Sequence, residues 1–370
     1  MMFERRLFFH VDWLLLGAVL LLSGIGVAMI YSTTYVMLSN GVGHPGPQVW
    51  TQMYALALAL AALLVCLLID YRMLAEHSLM LFGALMLLLV FVLFKGSTQM
   101  GAQRWIPIGP FHLQPSEFGR LGVALILAMY FGENRRGARN TSDLVIGGIF
   151  TLVPLLLIAK QPDLGTAVTL LPVFLGIAYL AGLRMRLLGV LALCGVMMAP
   201  IAWKFALKDY QRQRIQTFLD PQQDPRGAGY QTIQARITVG SGGLTGKGFR
   251  HGTQGQYKFL PVAHNDFIFS VLAEEQGFVG VLVVLGLYLF VILRSLEAAR
   301  LAKDRIGAYL VGGIISGFAF QVIYNVTMSA GLAPVKGITL PLMSYGGSSL
   351  IAAMAGFGLI LNVRMRRFTN

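Results

Sequence analysis

The run WLLLGAVLLLSGIGVAMIY at residues 13–31 carries no charged side chain over nineteen positions. Wound as a helix it spans about 30 Å, the hydrocarbon thickness of a bilayer. Apolar runs of similar length recur at roughly 51–70, 79–94, 117–131, 144–159, 165–183, 187–203, 266–293, 307–328 and 346–363. The expected fold is therefore all-α: a polytopic integral membrane protein with about ten transmembrane helices, forming one transmembrane domain over residues 1–370. The first run follows Arg5 and Arg6, lacks a small-residue cleavage site and exceeds a signal-peptide core. It is expected to remain as a signal anchor.

Composition agrees with this reading. Of 370 residues, 56% are hydrophobic and only 12% charged, and the mean hydropathy is +0.69. Soluble domains carry roughly 25% charged residues, so a water-facing enzyme is excluded. The net charge of +13 would suggest nucleic acid in a soluble protein. Here most of the cations serve topology. Fifteen, from Arg5 and Arg6 to Arg366 and Arg367, fall in connections on one side, whereas Lys95, Arg104, Lys160 and Lys336 occupy the opposite short connections. The positive-inside rule then places both termini in the cytoplasm, and no nucleic-acid partner is expected. Cys66 and Cys194 lie within apolar runs, which argues against a disulfide framework.

One long polar segment, 204–265, is left as a large extracytoplasmic loop between spans seven and eight. Its nine basic residues, Arg212 and Lys247 among them, face three aspartates. An anionic ligand accounts for that excess; so does a solvated domain lying against anionic headgroups or a partner. The glycine-rich run Gly240–Gly248 lacks the first glycine and the hydroxyl residue of a P-loop. Its amides and Lys247 form either a phosphate cradle or a plain turn.

Charges within spans cost about 2.5–3.5 kcal/mol each at the bilayer centre. Glu117 and Arg120 are spaced i, i+3, so they can pair on one helix face. Glu274 and Glu275 sit in the eighth run. Such groups must either pair within the protein or line a polar cavity. Asp266 opens the eighth run directly after the basic loop, and helical spacing puts it on one face with Ser270 and Glu274. It is either a catalytic carboxylate or a helix cap, and His264 beside it either orients that site or is structural. Lys160 and Asp163 close a tight connection around Pro162. Trp105, next to Arg104, suits an interfacial anchor. Lys336, alone in the last short loop, either meets a phosphate or snorkels. The histidines show no close metal-ligand spacing.

Six strings, in order, resemble the SEDS family of bacterial cell-wall proteins, the RodA and FtsW group. They are GAQRWIPIGPFHLQPSEFGR (101–120), KQPDLGTA (160–167), DYQRQRIQTFLDP (209–221), GAGYQTIQARITVGSGGLTGKG (227–248), FLPVAHNDFIFSVLAEEQG (259–277) and LPLMSYGGSS (340–349), the last containing Ser344. DYQRQR and GTQGQYKFLP are more similar to the rod-shape branch than to the division branch. The resemblance implies a peptidoglycan glycosyltransferase of the bacterial inner membrane that polymerises lipid II during cell elongation. It implies a class B penicillin-binding protein and the elongation machinery as partners. The family's essential aspartate falls on Asp266, its tryptophan on Trp105, its Pro-Ser-Glu on Pro115, Ser116 and Glu117, and its Pro-Asp on Pro162 and Asp163. Arg120 stands where lysine is common, and Asn265 where threonine is common.

The chemistry matches these residues. An α-linked pyrophosphate donor and a β-linked glycan require one inverting displacement, with a base for the acceptor hydroxyl and cations for the leaving group. Asp266 can act as that base, or as ligand of a divalent ion such as Mg or Mn. A lipid II flippase using the intramembrane charges, and a non-catalytic scaffold for the transpeptidase, are the alternative readings. No Ser-x-x-Lys transpeptidase motif stands in an outer segment.

Overall fold

The computed structural model describes residues 10–37, 43–99, 102–108, 111–133, 141–183, 186–187, 189, 197, 209–220, 228–257 and 259–368. Among the described residues, seven helices are long and apolar enough to cross a membrane: Trp13–Thr34 (α1), Pro47–Leu68 (α2), Ser78–Lys95 (α4), the stretch Ser142–Lys160 within Thr141–Lys160 (α6), Ile268–Arg300 (α12), Arg305–Ser329 (α13) and Gly347–Met365 (α14). Two shorter apolar segments fill further expected positions. A 3-10 turn, Pro115–Phe118, runs into Gly119–Glu133 (α5), and Leu164–Val168 (α7) runs into Leu170–Leu180 (α8). The run 187–203, expected as the seventh span, lies almost wholly outside the described residues. The remaining helices are short: Tyr71–Glu76 (α3), Asp209–Leu219 (α9), Ala228–Ser241 (α10) and Thr253–Gln256 (α11).

Burial separates a centre from a ring. Of the apolar window of α14, 89% is buried, and of α13, 61%; α2, α4 and α6 bury only 28% each. The exposed faces of that ring are leucine-rich, as a lipid-facing surface requires. Polar side chains then fix the central helix against its neighbours. Asn362 of α14 is fully buried and donates to the carbonyls of Cys66 (3.1 Å), Leu67 (2.8 Å) and Ile69 (2.7 Å). Its Oδ1 accepts from Tyr71 N. One side chain thereby satisfies the open C-terminus of α2 and holds the turn into α3.

Asp304 caps α13 through Gly307 N (2.8 Å) and accepts from the Tyr71 hydroxyl and Arg72 Nε, both at 2.8 Å. Burial alone would raise this carboxyl. The Gly307 amide, Tyr71 and Arg72 outweigh it and hold the group below its ordinary 3.8. A carboxyl lowered on folding stabilises above its unfolded value and loses that contribution as pH falls through the folded value. The stability gap between wild type and Asp304→Asn is therefore expected to be full at neutral pH and to close below about pH 4. Thermal unfolding in detergent across that range measures it.

Two features depart from the sequence reading. Ser97–Gln99 (β3), Ala102–Ile108 (β4) and Phe111–Leu113 (β5) form an antiparallel meander, after a two-stranded pair Val36–Met37 (β1) and Gly43–His44 (β2). The second departure is that the run 266–293 is not one continuous helix from Asp266. Helix α12 begins at Ile268, and at Gly277 its backbone turns to φ 63°, ψ −166°, a region essentially restricted to glycine. Phe278 N and Val279 N donate to the carbonyls of Gly243 (2.9 Å) and Leu244 (3.1 Å). Lys247 N and Gly248 N donate to those of Glu274 (3.0 Å) and Glu275 (2.9 Å). The glycine-rich run thus docks into the helix break and spends its amides there.

Candidate active site

The connections at one end of the helices converge on the strings singled out in the sequence. Asp163 is buried and caps α7 through Thr166 N (3.2 Å). Its other oxygen accepts from Gln114 Nε2 (2.8 Å) and Ser116 Oγ (3.4 Å) and lies 3.4 Å from Arg104 Nη1. Arg104 in turn lies over the Trp105 ring. The β meander therefore serves as an arm that brings Arg104 and Trp105 to Asp163. Directly after Ser116, the buried Glu117 accepts from Arg120 Nη2 at 2.6 Å. The arginine that stands where lysine is common thus reaches the carboxylate directly.

The same end holds Asp266. Its carbonyl, and that of Ile338, accept from Asn325 Nδ2 at 2.9 and 2.8 Å. Asn325 projects from α13, is fully buried, and staples the segment before α12 to the loop carrying Lys336. Gly337 takes φ 68°, and a Cβ there would lie 3.5 Å from Asp266 Oδ2. Gly165 closes the other side: a Cβ on it would come within 2.6 Å of the Lys336 carbonyl. The start of α7, just after the Pro162-Asp163 connection, thus packs on the Lys336 backbone, and Asp266 lies against the same loop at Gly337.

Asp266 itself is half-buried and precedes α12, whose N-cap is Phe267; the carboxylate is not the helix cap. Beside it, His264 gives its carbonyl to Tyr345 N (2.9 Å) and meets the Tyr345 ring edge-on at 5.4 Å. Burial lowers the His264 imidazole below its ordinary range and so favours its neutral form. Val262 and Leu342, neither of them glycine, take φ of 51° and 70°. Such backbone costs about 1–3 kcal/mol per residue and concentrates at functional sites.

Other candidates serve elsewhere. Lys247 Nζ pairs with Glu274 at 2.6 Å, and Glu275 accepts from Ser32 of α1. Ser344 closes its own turn by accepting from Leu340 N (2.8 Å). Lys160 is exposed at the end of α6, and Arg212 lies half-buried on α9. Among the described residues no three His, Cys, Asp or Glu side chains gather as a metal site. Asn325, Gln114 and Ser348, which donates to the His112 carbonyl and accepts from Gln114 N, escaped the sequence reading. Asn325 did carry a signal, as an amide within an apolar span; Gln114 and Ser348 lie within the quoted strings, among other polar residues.

Removing the staple is expected to disturb Asp266 more than the fold. Asn325→Leu leaves two inward carbonyls without their donor, at about 1–3 kcal/mol each. Activity that depends on Asp266 should fall at least about tenfold, beyond what the accompanying drop in Tm explains. Unchanged activity would remove Asn325 from the site.

A family model described as "Cell cycle protein", covering FtsW, RodA and SpoVE, matches residues 12–368. The chain is 44% identical over 283 residues to "Peptidoglycan glycosyltransferase MrdB" of Escherichia coli K12, covering 76% of each chain. It is 31% identical to "Peptidoglycan glycosyltransferase RodA" of Treponema pallidum, over 96% of this chain and 98% of that one. Among solved structures it resembles Thermus thermophilus RodA, at TM-score 0.71 and 30% identity, covering 97% of this chain and 98% of that one. A second match comes from work on "polymerization and crosslinking by a peptidoglycan synthase complex", at TM-score 0.81 and 34% identity, covering 97% and 99%. With the strings of the site and the helical frame both accounted for, the chain belongs to the FtsW, RodA and SpoVE family, the SEDS proteins.

Proposed function

We propose that this chain is a peptidoglycan glycosyltransferase that polymerises lipid II, with Asp266 as its catalytic carboxylate. One observation carries the assignment: Asp266, Lys336 with Gly337, and the Pro162-Asp163 connection come from distant parts of the sequence and pack at one place. Both relatives named above are peptidoglycan glycosyltransferases.

In this reading the acceptor 4-hydroxyl gives its proton to Asp266 while its oxygen attacks the anomeric carbon of the donor. The pyrophosphate departs from the opposite face, which inverts the configuration. Lys336 and Arg104 lie on the segments best placed to meet that leaving group, and a pyrophosphate needs no protonation to leave. A divalent ion at Asp266 would draw its other ligands from the pyrophosphate and water, the usual way Mg²⁺ is held. It would supply charge neutralisation for the leaving group.

Both termini are cytoplasmic in this reading, and residues 204–265 lie on the outer side with the site. Polymerised glycan still has to be crosslinked, and a class B penicillin-binding protein of the elongation machinery supplies that step. Against the flippase reading, Glu117 is met by Arg120 and Glu274 by Lys247, which leaves Glu275, bonded to Ser32, as the remaining carboxylate of its polar path. The deciding experiment incubates purified protein and transpeptidase partner with labelled lipid II. Long glycan strands are expected. Lipid II moving across liposomes with no glycan formed would overturn the proposal in favour of a flippase.

A further inference from the structure

At the opposite end of the helices from Asp266, a cavity of about 350 Å³ opens between the start of α1, α12 and the end of α14. His10, Asp12, Trp13, Arg294, Arg364 and Arg367 line it, so three arginines face one aspartate. Its cations are held in place. Asp12 Oδ2 lies 2.8 Å from both Arg294 Nε and Arg364 Nη1. Glu297 lies 2.7 Å from Arg294 Nη1 and 3.3 Å from Arg364 Nη1. Arg364 Nη1 also reaches the Arg294 carbonyl at 3.3 Å. These contacts use Nε and Nη1 of Arg294 and Nη1 of Arg364. A guanidinium has five N–H donors, so both groups keep donors for an incoming oxyanion.

What adjoins the cavity says which anion fits. Leu14 and Trp13 are 65% and 51% exposed at its rim, and Leu293, next to Arg294, is 56% exposed. Beyond them run the apolar outer faces of α1 and α12. A fixed cationic hollow opening directly onto a lipid-facing surface matches a molecule with a phosphate head and acyl tails. A soluble phosphate has no use for the apolar rim.

We propose that this cavity is a binding site for the headgroup of an anionic phospholipid, seated where α1 begins and α14 ends. The phosphodiester accepts from Arg294, Arg364 and Arg367, and the acyl chains lie along Leu14 and Leu293. The site shares no residue with the catalytic proposal, so either can fail alone.

Native mass spectrometry of the purified full-length protein tests it, with titration of dioleoyl-phosphatidylglycerol, dioleoyl-phosphatidylcholine and inorganic phosphate in parallel. Phosphatidylglycerol is expected to be retained at least about tenfold better than phosphatidylcholine. Arg367→Gln, which leaves the Asp12 pairs intact, should weaken retention about fivefold, the scale of one arginine near an anionic lipid. Arg294→Gln with Arg367→Gln should abolish the preference. Arg72→Gln, in the α3 clasp, should leave it unchanged. Equal retention of both lipids, or a preference that survives the double substitution, would overturn the proposal. Inorganic phosphate displacing the lipid at equal concentration would also overturn it, by marking a small-anion site.

Discussion

Asp266→Asn is expected to lower lipid II polymerisation by roughly 10²–10⁴-fold, the contribution of a positioned general base, while the protein remains folded. The two halves of that expectation have separate causes. The fold holds Asp266 by its backbone: Asn325 grips the carbonyl, and that bond survives any change of side chain. In the proposed mechanism the chemistry depends on the carboxylate, which asparagine matches in shape but not in its capacity to take a proton. The loss should therefore fall on kcat, with KM for lipid II close to wild type. Tm should move little. Polymerisation within threefold of wild type would remove Asp266 as base and return the site to the scaffold reading. Asp266→Glu is a sharper probe. The longer side chain must find room against Gly337, where an added Cβ would lie 3.5 Å from Oδ2, so partial activity at best is expected.

The helical frame was legible because apolar length is a local property. A run such as 13–31 has one stable answer in a bilayer, since every backbone amide must be bonded within the segment. The break at Gly277 was not legible. Nothing around it in Glu-Glu-Gln-Gly-Phe-Val marks an end, and the residues that force it lie about thirty positions upstream, where the run 243–248 docks on the helix. Long-range pairing of this kind leaves no periodicity in either segment. The meander of β3, β4 and β5 was hidden differently. Its strands are short, Pro107 interrupts the pattern of β4, and one of its contacts with the rest of the chain runs from Arg104 to the distant Asp163.

The site was legible by another route. Asp266, Asp163 and Trp105 stood out through the strings that resemble the SEDS family, and spacing alone left each of them with an ordinary alternative. Helical spacing even misplaced Asp266, on a face shared with Glu274, because it took the helix two residues too far. Asn325 and Asn362 went unnoticed as uncharged residues in apolar spans. In a membrane a buried amide needs a reason as much as a charge does, and both turn out to bond the backbone of other segments.

Glu274→Leu is expected to cost about 3–5 kcal/mol, the scale for removing one partner of a buried, hydrogen-bonded ion pair. The carboxylate is fully buried. It accepts from Lys247 Nζ (2.6 Å), Thr253 N (2.9 Å), Thr253 Oγ1 (3.0 Å) and Gln254 N (3.2 Å). Leucine leaves the ammonium and two amides unmatched and unpins α11 from α12. Thermal unfolding in detergent should register the loss, and limited proteolysis should open the 240–257 segment. Lys247→Met should cost less, because Lys247 is 29% exposed and the carboxylate keeps both amides. Combining the two should cost less than their sum, as coupled partners do. The pair also decides what Lys247 is for. A lysine that cradles substrate phosphate would raise KM for lipid II when replaced and leave Tm alone. A lysine that locks the glycine-rich run into the Gly277 break lowers Tm and leaves KM near wild type, and the geometry commits Lys247 to the second behaviour.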